Sequence, residues 1–238
     1  MPAARLKRTA RAAERPRGIP TTRERILESA IALFNQYGVQ NVAVDRIASE
    51  LGISPGNLTY HFNRKDDLIR ETLQVLKERL RVVLARPVEV DSPRAGAQYL
   101  MRLFRTFWDC RFFFNALAYL LTYDRDLLKD YSAFSEWVTQ TMESDIVYLT
   151  EREYFRPLVP PNSYRLLAEN IWSVLLNWLR MQQIESPSRT TPSKAALYDA
   201  ALHLWSLCHL WMNPFFASEL LRIFDELLSP PKRTQREA

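Results

Sequence analysis

The stretch "SPGNLTYHF", Ser54–Phe62, gathers Pro, Gly, Asn and Thr, all poor residues for a helix interior, into one short element between two amphipathic runs. Ser54 suits a helix N-cap, and Pro55 suits the first helical position, where its missing N–H costs nothing. Leu58 and Phe62, four apart, share one face and are the apolar anchors of this element. Immediately upstream, Val44, Ile47, Ala48 and Leu51 form an apolar face over two turns that Gly52 terminates. Two short helices joined by a three- or four-residue turn containing glycine make a helix-turn-helix, with an ordinary helical hairpin as the alternative.

Further out, Thr21-Thr22-Arg23-Glu24 is a capping box, and Ile26, Ala30, Leu33, Phe34 and Tyr37 recur at helical spacing before Gly38. The pattern predicts a first helix over about 22–37. Downstream, Asn63 suits an N-cap, and Asp66 and Asp67 fall in a first turn where the helix dipole favours acids. An apolar stripe, Leu68, Leu73, Leu76, Leu80 and Val83, then carries a long helix to about Arg86, ended by Pro87.

The run "RERILESAIALFNQYGVQNVAVDRIASELGISPGNLTYHFNRKDDLI", Arg23–Ile69, resembles the DNA-binding domain of the tetracycline-repressor (TetR) family of bacterial regulators. The shared features are an aromatic before the first glycine, Ile-Ala, Leu-Gly-Ile-Ser, Gly-x-Leu, an aromatic-His-Phe run and Lys-Asp-x-Leu. Two positions depart from the family pattern. Ala43 stands where the family usually has a capping Ser or Thr, so the cap of the second helix is expected from Asn41 or Asp45. Thr59 stands where Tyr is common, which alters the base within reach.

A helix entering the major groove needs a slim first turn, and Ser54, Pro55 and Gly56 supply one. Asn57 suits bidentate pairing with adenine, Thr59 a hydroxyl or methyl contact to a base, and Tyr60 and His61 donation to phosphate. Arg64, Lys65 and Arg46 are the candidate backbone anchors. For each of these residues the alternative is an ordinary solvated polar group. For His61 it is a core or catalytic histidine, although no nucleophile or carboxylate arrangement accompanies it in this segment.

Beyond Pro93 the chain is dense in aromatics, beginning with "YLMRLFRTFWDCRFFFNALAYLLTYD", Tyr99–Asp124. Helices are expected over about 126–155, 161–184, 193–213 and 214–228, separated by prolines, giving a bundle of about six elements. Most of the aromatics read as core. The segments at 169–184 and 196–212 are apolar on more than one face, as helices packed against a second copy would be, and the resemblance implies a homodimer formed there. Phe104, Phe107, Trp108, Phe112, Tyr119, Tyr123, Trp137 and Trp172 are the candidate lining of a ligand cavity. A cationic ligand would use Asp109, Glu143 or Asp145, and an anionic one Arg105, Arg111 or Arg180. The "RFFFNALAYLL" arrangement resembles a branch of the family acting in lipid or storage-polyester metabolism, which favours an acyl-type effector.

Composition sets the outer bounds. With 5 glycines in 238 residues and hydrophobic residues at 47%, the chain reads as all-α with real cores. Cys110 and Cys208 read as buried free thiols, and His203, Cys208 and His209 lack the spacing of metal ligands, so neither metal nor cofactor is expected. No apolar run is long enough for a membrane span or a signal peptide, so a cytoplasmic protein is expected. Residues 1–18 hold six basic residues and one acid, a surplus equal to the formal net charge of +5. This arm, 1–20, either follows a nucleic-acid backbone or is a solubilising extension. The expected organisation is therefore the arm, a helix-turn-helix domain over 21–67, a ligand-binding and dimerisation bundle over 68–228, and a tail over 229–238. The function implied is a repressor released from a near-palindromic double-stranded operator by a small apolar effector. A DNA-binding activator or ligand-independent regulator is the alternative, and an enzyme or carrier built on the aromatic bundle a remote one.

Overall fold

The computed structural model describes residues 20–84, 90, 92–186 and 189–228. The basic arm, the tail from 229 and the expected end of the long helix at Arg86–Pro87 lie outside the described residues. Eleven α-helices account for almost all of the rest, and no extended strand occurs among the described residues. None of these helices is long and apolar enough to cross a membrane.

The first three helices form the head. Helix α1 (Thr22–Tyr37) starts at the expected capping box, with the Thr21 amide donating to Glu24 at 2.7 Å and the Glu24 amide to the Thr21 hydroxyl at 3.2 Å. Helix α2 (Val44–Leu51) ends at Gly52, which holds a φ of 65° that a side chain would strain. Helix α3 (Pro55–His61) begins at Ser54, whose hydroxyl accepts from the Asn57 amide at 3.1 Å. Ile47, Ala48 and Leu58 are completely buried between these helices.

Two expected caps differ. Helix α2 has no side-chain cap: Ala43 occupies the position, and Asn41 instead donates to the Tyr37 carbonyl at 2.9 Å, satisfying the end of α1. Helix α4 (Lys65–Val83) is preceded by Arg64 rather than Asn63, and the Asp67 carboxylate accepts from the Arg64 amide at 3.2 Å.

The aromatic run does not form one helix. It divides into α5 (Pro93–Asp109), α6 (Arg111–Asn115) and α7 (Leu117–Tyr123), breaking at Cys110 and Ala116 without proline or glycine. The first break is held from the head. Asn35 of α1, buried, donates to the Asp109 carbonyl at 2.7 Å and accepts from the Phe112 amide at 3.0 Å. One side chain thus serves a carbonyl at the end of α5 and an amide at the start of α6.

Four longer helices complete the body: α8 (Arg125–Glu151), α9 (Tyr164–Glu185), α10 (Lys194–Cys208) and α11 (Pro214–Leu228). Helix α10 stops five residues before the expected end at 213, because the chain turns there to run against 154–156. Arg156 donates to the Trp211 carbonyl at 2.6 Å and Asn213 to the Tyr154 carbonyl at 2.8 Å. With α4 counted, the body holds eight helices rather than six, the excess coming from the subdivided aromatic run.

Candidate DNA-reading face and effector cavity

The DNA-reading candidates fall on one exposed surface. Ser54, Pro55, Gly56, Asn57, Thr59 and Tyr60 are all exposed along α3, while Leu58 between them is completely buried. Tyr60 is 85% exposed, an unusual position for a tyrosine in a small head domain. Its ring meets His61 edge-on, with centroids 5.3 Å apart, and His61 itself is half-buried. The Thr59 hydroxyl donates to the Pro55 and Gly56 carbonyls at 3.1 Å each, which leaves its methyl and oxygen lone pairs outward. A β-carbon added at Gly56 would meet only the Ser54 hydroxyl, at an ordinary 3.9 Å, so packing within the chain does not demand glycine there.

The three anchor candidates differ in what holds them. Arg46 is exposed on α2, its guanidinium 3.7 Å from the centre of the Tyr37 ring, a cation–π contact that fixes its direction. Arg64 is exposed and pairs with Asp66 at 3.0 Å. Lys65 turns partly inward: its ammonium donates to the Val39 carbonyl and lies 5.8 Å from the Phe34 ring centre. Burial lowers the Lys65 pKa from the ordinary lysine value, partly offset by Asp66.

The body holds a partly open cavity of about 130 Å³ between α5, α8, α9, α10 and α11. Its walls are nearly all apolar, including Leu103, Ile146, Ile171, Leu204 and Phe216. Residues with polar atoms among the lining are Asp145 of α8, Tyr99, Tyr148 and Trp205, although the surface they present is almost wholly apolar. Asp145 is 8% exposed, and its Oδ2 accepts from the Tyr99 hydroxyl at 3.0 Å, a bond that ties α5 to α8 beside the cavity.

None of the eight aromatics expected around a ligand lines this cavity. Phe104, Phe107, Trp108, Phe112 and Trp172 are buried core. Phe107 packs on Trp172 at 5.3 Å and Phe104 on Trp178 at 5.7 Å, while Phe112 packs on Phe34 of the head at 5.1 Å. The indoles of Trp108 and Trp172 donate to the Thr190 carbonyl and the Ser135 hydroxyl, both at 3.0 Å, as buried indoles require. Trp137 is half-buried against Phe134. Tyr119 and Tyr123 are 48% and 80% exposed and pair with each other at 5.5 Å beside Arg64, Lys65 and Arg70. Of the three carboxylates considered for a cationic ligand only Asp145 reaches the cavity, and none of the three arginines does. Arg105 and Arg180 are exposed, and Arg111 is buried with its guanidinium donating to the Trp108 and Arg189 carbonyls.

Sequence reasoning missed the contacts that join head to body. Besides Asn35, Arg70 of α4, the helix that leaves the head, makes two bonds to Asp124, at 2.8 and 3.0 Å, and Asp124 in turn caps α8 through the Asp126 and Leu127 amides. No periodicity marks such residues, since each acts through a partner more than 50 positions away in the chain. Both cysteines are buried, and burial pushes each thiol up to about 12, which leaves them protonated and unreactive at neutral pH. Among the described residues no group of three or more His, Cys, Asp or Glu could hold a metal ion.

Comparison with known proteins adds the family context. Residues 26–72 match the family model described as bacterial regulatory proteins, tetR family, and residues 73–219 one described as bacterial transcriptional repressor. An HTH-type transcriptional regulator of Staphylococcus aureus (strain USA300) is 48% identical over 52 residues, which is 22% of this chain and 28% of that protein. A TetR-family transcriptional regulator from Marinobacter aquaeolei VT8 shares the fold at a TM-score of 0.74 and 27% identity, over 87% of this chain and 98% of the other. The TetR family transcriptional regulator PfmR from Thermus thermophilus aligns at a TM-score of 0.60 and 21% identity, over 78% and 97% of the two chains.

Proposed function

Because the chain belongs to the TetR family of DNA-binding transcriptional regulators, which are not enzymes, we propose that it is a homodimeric repressor. Two copies of α3 read a near-palindromic operator, and a small apolar effector in the body releases it. The observation that carries this reading is the α3 surface, where every polar residue from Ser54 to Tyr60 is exposed while Leu58 alone among them holds the helix to its scaffold. Asn57 and Thr59 are assigned to base edges, Tyr60 and His61 to phosphates, with Ser54, Pro55 and Gly56 forming the slim turn that lets the backbone approach. Gly56 supports this assignment because the fold has room for a side chain there, so its smallness serves a partner outside the chain. Arg46, Arg64 and Lys65 flank the helix as positive anchors. Lys65 contributes through whichever ammonium protons the Val39 carbonyl leaves outward.

Dimerisation is assigned to α9 and the turn that follows α10, where Met181, Ile184 and Leu210 stay 42%, 67% and 69% exposed in a single chain. The effector is assigned to the cavity between α5 and α8–α11, not to the aromatic set expected from sequence. Helix α5 runs from this cavity to the head, and α8 runs from it to α4, the helix that leaves the head. Asp124 caps α8 and grips Arg70, and Asp145 lies 21 residues along the same helix, roughly 30 Å at 1.5 Å per residue. At the head end of α5, the Asp109 carbonyl accepts from Asn35. A ligand that parts α5 from α8 therefore shifts both supports of the head and changes the spacing of the two reading helices.

The test is a gel shift of the full chain on DNA from upstream of its own gene, titrated at low salt. A sequence-specific shift is expected, and its complete absence across protein concentrations would contradict the proposal.

A further inference from the structure

We propose that an open groove along α5, separate from the effector cavity, binds an anionic amphiphile, a carboxylate or phosphate head group on a short apolar chain. The groove, of about 360 Å³, lies between α5, the start of α10 and the end of α11. Arg102 and Arg105, three apart on α5, line it together with Lys194, the first residue of α10. Met101, Leu197 and Leu228 supply apolar walls. All three cations are exposed, and among the described residues none of their side chains forms a hydrogen bond or an ion pair. By contrast Arg70, Arg79, Arg94, Arg165 and Arg222 each hold a carboxylate.

No acidic residue occurs on the described walls of the groove. On α11, Asp225 accepts from the Tyr198 hydroxyl and Glu226 pairs with Arg94 at 2.7 Å, so both are engaged elsewhere. Asp109, a turn beyond Arg105, does not line the groove. Three positive charges without a counter-charge among them favour an anion in their midst. Two neighbouring guanidinium groups present the planar forks that match carboxylate or phosphate oxygens. The leucines add a second requirement, because an inorganic anion leaves them wet whereas an apolar chain removes them from water. A cationic or a neutral apolar molecule meets only one of these two conditions. Lys194 and Leu197 lie on the side of α10 opposite Asp199 and His203, which border α9, so the groove faces away from the helix assigned above to dimerisation.

The test titrates the full chain by calorimetry with octyl phosphate, inorganic phosphate, 1-octanol and octyltrimethylammonium below their aggregation limits, then repeats the series on the double variant Arg102→Gln, Arg105→Gln. Octyl phosphate is expected to bind at least about tenfold tighter than each of the other three. The double variant is expected to weaken it at least about fivefold while melting within about 2 °C of the unaltered chain, as exposed substitutions do. Lys194→Gln, also exposed, is expected to weaken it too and decides the matter if the double variant does not fold. Equal binding of inorganic phosphate, of octanol or of the ammonium compound would overturn the proposal. Undiminished binding of octyl phosphate by the variants would also overturn it, since the ligand would then lie elsewhere on the chain. No binding of octyl phosphate would overturn it as well, and a salt slope on operator DNA lowered by about two in the double variant would then give these cations to the DNA backbone. Failure of the groove leaves the operator and cavity readings standing, because none of its three cations is assigned to either.

Discussion

At the scale of single residues, α3 separates what folding needs from what the proposed reading of DNA needs. Leu58 is fully buried and Gly56 is unconstrained by its neighbours, so two substitutions should give opposite results. Leu58→Ala removes a core side chain and should destabilise the chain by about 2–5 kcal/mol, read by urea unfolding. Gly56→Ala should leave stability unchanged or raise it by up to about 1 kcal/mol, since glycine costs backbone entropy in a helix, yet weaken operator binding at least tenfold. Undiminished binding by Gly56→Ala would remove the argument that its smallness serves DNA. Most of this surface was legible in the sequence, because a cap, a proline at the first position and two apolar residues four apart are local signals. The inward turn of Lys65 was not, because its partner Val39 is 26 residues distant.

At the scale of elements, the joints around the head are the route assigned to the proposed signal. Asn35 serves both an α5 carbonyl and an α6 amide, so Asn35→Ala leaves two buried backbone groups unpaired and should cost about 2–4 kcal/mol in urea unfolding. Arg70 holds the Asp124 carboxyl below the ordinary carboxylate range, mainly through its hydrogen bonds, with burial opposing. A lowered acid pKa stabilises the folded chain at neutral pH, and that contribution is lost as pH falls through the ordinary carboxylate value of about 3.9 and below. Asp124→Asn should therefore melt lower than the unaltered chain at pH 7 and converge with it in acid, as melting curves between pH 3 and pH 7 would establish. These joints explain why the aromatic run looks continuous in sequence. Its first break, at Cys110, is held by a side chain from α1, and no proline or glycine announces it. The cavity escapes sequence reasoning for a related reason: the densest aromatics pack on one another, which consumes them as core, and the open space falls among aliphatic and other aromatic residues drawn from five helices.

At the scale of the whole molecule, the proposed regulator joins two reading helices, one dimer face and one cavity in each chain. Exchanging the exposed apolar residues Met181 and Ile184 together for arginine should yield a monomer by sedimentation and remove operator binding, since one head alone neutralises half the phosphates. All-α architecture, the helix-turn-helix and the family were open to sequence reasoning because they rest on periodicity and short-range motifs. The cavity between the helices was not, because a cavity is set by how helices diverge in space. The most specific step proposed for the head is that α3 reads a base edge through Asn57. A scan of single base-pair substitutions across a bound operator, measured by fluorescence anisotropy at one salt concentration for the unaltered chain and for Asn57→Ala, examines that step alone. The variant is expected to lose about 1–3 kcal/mol of discrimination at one A·T pair in each half-site and to keep the rest of the profile. An identical specificity profile for the two proteins would show that Asn57 reads no base.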